Sequence, residues 1–75
     1  MVDVRIEQIR VNAKKLRKLS AAKIRRYVID YEAGAEFPAI TVVDCGGFYI
    51  IRDGRHRYQA QLACGYRIVA VLVMN

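Results

Sequence analysis

The sequence predicts a small α/β (α+β) domain: a mixed sheet of about four strands with two main helices, in the order β-α-β-β-α-β. Three observations carry this reading. Val2, Val4 and Ile6 alternate with Asp3, Arg5 and Glu7, the period of a half-buried strand. Ile24, Tyr27, Val28 and Tyr31 stand at i, i+3, i+4 and i+7, which places them on one face of a helix. The runs AITVVD and FYIIRD flank CGG, the signature of two strands joined by a tight turn.

The elements follow in order. Ile9 and Val11 continue an apolar thread after the first strand. NAKKLRKL is dense in Lys and Arg, and Ser20 after it has the chemistry of an N-cap. The first main helix is expected over 21–33, with a turn before Ser20 and Gly34 closing it. If that helix begins early, Lys14, Lys18 and Arg25 share a face. Pro38 opens the hairpin segment. A second helix is expected over 54–64, closed by Gly65. Ile68 to Val73 is unbroken apolar sequence, which predicts an internal strand covered on both faces.

Size and charge narrow the function. A chain of 75 residues is expected to form one domain over 1–75. It buries only about 60% of its unfolded surface, so a homodimer is an expected way to cover more. Thirteen Lys and Arg against seven Asp and Glu give a formal charge of +6. That balance favours polyanions: nucleic acid, nucleotide phosphates or acidic lipid. Cys45 and Cys64 make no disulfide framework and no zinc spacing. Cys64 shares a predicted helix face with Ala60 and Ala63 and is read as core, and Cys45 falls in the predicted turn. Reduced thiols fit the cytoplasm. The N-terminus is charged from residue 3, unlike a signal peptide. The longest apolar run, Ile68 to Met74, is far short of the about 20 residues that span a bilayer, so no membrane partner is expected.

The stretch RDGRHRYQAQLACG, Arg52 to Gly65, carries the chemistry. Asp53 ends a strand and is placed to cap the next helix. Gly54 lets the chain turn sharply. The first N–H groups of the helix then point at open space, as in phosphate-binding helix starts. Arg55 and Arg57 at that end repel the positive helix pole. An anion held by the backbone at Gly54 and by Arg55, His56 and Arg57 offsets that repulsion. The plainer alternative is an Arg-rich surface turn with His56 packed against a carbonyl.

DGRHRYQAQLACGYRIVAVLV, preceded by FPAITVVDCGGFYIIR, resembles the ParB/sulfiredoxin superfamily domain over nearly the whole chain. The resemblance implies a small α/β fold, here as a stand-alone unit, that binds nucleotide phosphates at this turn, with ATP or CTP and Mg²⁺ as cofactors. In ParB-type proteins the turn reads Gly-Glu-Arg-Arg-x-Arg-Ala. Gly54, His56, Arg57 and Ala60 stand in corresponding places, whereas Arg55 replaces the Glu and Gln59 the last Arg. The helix-turn-helix region that follows in partition proteins has no counterpart in the sequence. In sulfiredoxins the turn reads Gly-Cys-His-Arg-Tyr. Gly54, His56, Arg57 and Tyr58 match, but Arg55 takes the place of the reactive Cys, so reduction of sulfinic acids is not expected. Members with Asp-Gly-His-His-Arg-Tyr, described as kinases, nucleases or NTPases, match at Asp53, Gly54, His56, Arg57 and Tyr58. The resemblance thus adds Tyr58 to the phosphate or nucleotide set.

Two further sets complete the reading. Lys14, Lys15, Lys18, Arg25 and Arg26 belong to a cationic stretch with no acidic residue inside it, a candidate surface for DNA or RNA. A solvated helix face is the alternative. Asp53 and His56 are the catalytic candidates for a metal-dependent nuclease or NTPase, with Glu32 or Glu36 as a second carboxylate. No metal ligand set can be named from the sequence. The competing functions are a minimal phosphate-binding domain, with or without turnover, and a non-catalytic DNA-binding or regulatory module acting through the first-helix region. A structural or partner-binding fragment is the third.

Overall fold

A computed structural model describes residues 1–74. The chain runs through β1 (Val2–Arg5), a 3-10 turn (Ile6–Gln8), β2 (Ile9–Arg10), α1 (Ala13–Leu16), α2 (Ala21–Glu32), β3 (Ile40–Asp44), β4 (Tyr49–Asp53), α3 (Arg55–Ala63) and β5 (Ile68–Met74). The expected β-α-β-β-α-β order is present, with two additions. Ile9–Arg10 forms a fifth strand, and Ala13–Leu16 forms a short separate helix.

The first main helix does not begin early. Asn12 caps α1, its side chain accepting from the Lys14 N–H at 2.8 Å. The helix is then broken before Ser20 starts α2, its Oγ accepting from the Lys23 N–H at 3.2 Å. Each cap satisfies an orphan donor of its own helix start. The break removes the common face expected for Lys14, Lys18 and Arg25.

The strands form one sheet in the order β1-β5-β3-β4-β2. β1 is antiparallel to β5, β5 parallel to β3, β3 antiparallel to β4, and β4 parallel to β2. The β3–β4 register shifts between Thr41 and Val42: Thr41 faces Asp53, but Val42 faces Ile51. Arg52 is therefore the extra residue of a bulge just before the end of β4. Bulges bend a strand and re-aim its side chains, and this one sets the exit of Asp53.

Val4, Ile6, Ile9, Ile40, Val42, Ile51, Val69 and Val71 form the core, with Tyr49, Tyr58 and Val11 packed against it. Burying each such aliphatic side chain contributes about 1.5–3 kcal/mol. A second, aromatic cluster ties α2 to its flanking loops. Tyr31 packs on Phe37 at 4.5 Å and Tyr66 at 5.5 Å between ring centroids, and Tyr27 meets Phe37 edge-on at 5.2 Å.

β5 lies inside the sheet, as its apolar run implies, but it is not covered on both faces. Val69 and Val71 are buried, whereas Ile68 and Leu72 are 55% and 51% exposed. The core lies on one side of the sheet, and no described element covers the other. Among the described residues no helix is long and apolar enough to cross a membrane.

Candidate functional site

The site begins at the end of β4. Gly54 takes φ 104°, a left-handed conformation, and stands as the N-cap of α3 with no side-chain cap. Asp53 does not cap this helix. Its carboxylate lies 3.4 Å from Arg57 Nη2. The Asp53 side chain is 80% exposed and that of Arg57 only 15%, so the arginine is fixed and the carboxylate leans on it from solvent. The guanidinium lies across the glycine: a Cβ on Gly54 would sit 2.8 Å from Arg57 Nη2 and 3.0 Å from its Nε. Glycine here permits both the turn and the close approach.

His56 joins two helices. Its Nε2 accepts the backbone N–H of Ser20 at 3.0 Å. Two helix starts, at Ser20 and Gly54, thus sit side by side, and both present their positive poles to the same space. Burial lowers the His56 pKa from the ordinary 6.5, and the nearby Lys23 and Arg55 lower it further. The ring is therefore neutral at pH 7. Nε2 is the acceptor, so Nδ1 carries the proton.

The space between the two starts is a cleft of about 290 Å³. Leu19, Lys23 and Tyr27 line it from the α2 side, and Asp53, Gly54, Arg55, His56 and Arg57 from the α3 side. Lys23 Nζ lies 5.8 Å from the Tyr27 ring centroid. The Nε of Arg55 is buried without a hydrogen-bond partner. Among the described residues, the ion pairs are Arg5–Glu7 and Arg57–Asp53, which leaves Lys23 and Arg55 without a carboxylate.

The turn therefore brings Asp53, Gly54, Arg55, His56 and Arg57 together, but not Tyr58. The Tyr58 ring packs against the core, and burial raises its pKa. It sits on the sheet-facing side of α3, so it supports the turn from behind. Lys23 and Tyr27 were not in the phosphate set read from the sequence. They stand four apart on α2, and only the packing of α2 on α3 shows that they face the turn. Lys15 and Lys18 lie beside the cleft, whereas Lys14, Arg25 and Arg26 are exposed and line neither cavity beside the turn. Cys45 is exposed in the hairpin turn. Cys64 is half-buried at the end of α3, its thiol 3.9 Å from the Val28 carbonyl.

The donor set does not fit a protein-built Mg²⁺ centre. Among the described residues Asp53 is the single carboxylate lining the cleft, and it already leans on Arg57. Glu32 and Glu36 do not line it, and the described residues contain no group of three metal-ligating side chains.

No protein-family model matches the chain, and no curated protein matches it. Solved structures do. Sulfiredoxin from Arabidopsis thaliana aligns over 99% of this chain and 83% of its own, at 22% identity and TM-score 0.83. ParB from Caulobacter crescentus complexed with CTP-gamma-S aligns at 20% identity and TM-score 0.82, over 99% of this chain and 43% of its own. A free serine kinase in complex with AMP aligns at 13% identity and TM-score 0.81, and the chain spans 30% of its length. The chain has a ParB/sulfiredoxin-like fold.

Proposed function

We propose that this domain binds the phosphate groups of a nucleotide, ATP or CTP, in the cleft between the starts of α2 and α3. The convergence of two helix starts, with Lys23 and Arg55 unpaired by any carboxylate among the described residues, is the observation that carries the reading. An anion there takes the free N–H groups of α3, the two arginines and Lys23, and offsets the repulsion that their packing costs. His56 Nδ1–H is a further donor. Structures of the same fold complexed with CTP-gamma-S and AMP support the choice of ligand class.

The geometry favours binding over turnover. A water-activating base needs a free acceptor, but His56 Nε2 is taken by Ser20 and Asp53 leans on Arg57. Mg²⁺ would enter with the nucleotide, held mainly by its phosphates. A homodimer is part of the reading, since a second copy would cover the open sheet face. Free thiols at Cys45 and Cys64 suit the reducing cytoplasm.

Isothermal titration with ATP, CTP and ADP, with and without Mg²⁺, tests the site on the wild type and on Arg57→Ala. Binding that is lost in the variant is the expected result. No heat with any nucleotide overturns the proposal.

A further inference from the structure

A second cavity adjoins the nucleotide cleft. It measures about 410 Å³ and is lined by Lys15, Lys18, Leu19, Arg55 and His56. Leu19, Arg55 and His56 line the first cleft as well, so the two compartments share a wall. Among the described residues no carboxylate lines the second compartment, and no acidic side chain pairs with Lys15 or Lys18. Arg55, in the shared wall, has its buried Nε without a partner. The first cleft alone is at the lower limit of small-ligand sites, about 300–1,000 Å³.

We infer that the two compartments form one continuous path for the backbone of a single-stranded oligonucleotide, with neighbouring phosphodiesters in each and Arg55 between them. This inference rests on the reading of the cleft as a phosphate site. A mononucleotide fills the first compartment and leaves Lys15 and Lys18 without a counter-charge. A strand supplies one phosphate after another and reaches both. Two concave compartments suit a flexible chain that bends into each, whereas a duplex offers a stiff convex surface. Tyr27 in the first compartment and Leu19 in the shared wall give apolar surface for a base, as single-strand sites do. Nothing here reads a base edge, so the expected binding is indifferent to sequence.

The test is fluorescence anisotropy of a labelled oligothymidine of about eight nucleotides, within the usual span of single-strand sites, titrated at several salt concentrations. A duplex of the same length and ATP titrated by calorimetry run beside it. Lys15 and Lys18 are exposed, so the double variant Lys15→Ala/Lys18→Ala keeps the fold, which its thermal melt verifies. It is expected to bind the oligonucleotide about tenfold or more weakly, with a log–log salt slope lower by about 1.4, or 0.7 per lost contact. Its ATP affinity stays within about twofold of the wild type, because these lysines do not line the first cleft. Unchanged oligonucleotide affinity in the double variant, or equal affinity for the duplex, overturns the inference while leaving the nucleotide site standing. Failure of the wild type to bind either ATP or the oligonucleotide overturns both.

Discussion

Gly54 and Arg57 act as one unit. The guanidinium occupies the space a Cβ would need, and the left-handed backbone at Gly54 disfavours any other residue. Gly46 in the hairpin is also left-handed, but nothing lies within 4 Å of its Cβ position. The two alanine variants therefore separate strain from function. Gly46→Ala and Gly54→Ala should each lose about 1–3 kcal/mol in urea melts. Only Gly54→Ala should also lose nucleotide affinity, because the added Cβ pushes the Arg57 guanidinium out of its place. His56 gives a second residue-scale expectation. Its folded pKa lies below the ordinary 6.5, so the unfolded chain takes up the proton first. Stability that depends on a neutral His56, buried beside Lys23 and Arg55, is then fully present above pH 6.5 and is lost as pH falls through the folded value. Urea melts between pH 7.5 and 5 should show this decline, and His56→Gln should lack it. An identical pH profile in the variant would show that the neutral His56 does not govern acid stability.

Between elements, what was legible in the sequence depended on the distance over which the signal is written. α2 and α3 announce themselves through local spacing, and the hairpin through Gly46 and Gly47 between two β-rich runs. β2 is only two residues long, and its pairing with β4 is set some 40 positions away, so no periodicity marks it. β5 shows the limit of composition. An unbroken apolar run implies coverage of both faces, yet only the Val69–Val71 side meets the core. The other side presents Ile68, Leu72 and Met74, with Ile50 of β4 exposed on the same face. That face is where the proposed homodimer would form. Sedimentation velocity over a concentration series should show self-association, and Leu72→Lys should abolish it. A monomer at every concentration would remove the dimer from the reading.

At the scale of the molecule, the site divides in the same way. The α3 half is contiguous in sequence, so Gly54, Arg55, His56 and Arg57 could be read directly. The α2 half could not, because Lys23 and Tyr27 reach the turn only through packing of two helices some 30 residues apart. The Ser20–His56 bond that fixes this packing leaves no local signature either. Tyr58 shows the complementary limit: its motif position was visible in the sequence, but the packing of its ring against the core was not. The paired helix starts have one more consequence, and it concerns arrival. Two positive poles and several cations open onto one concave site in a chain of net charge +6. Such a field draws anions in from solution before any contact forms and raises encounter rates by about 10- to 1,000-fold. If the proposed anion site holds, salt would govern how fast a ligand reaches the cleft, and the fit of Arg57 over Gly54 would govern how long it stays.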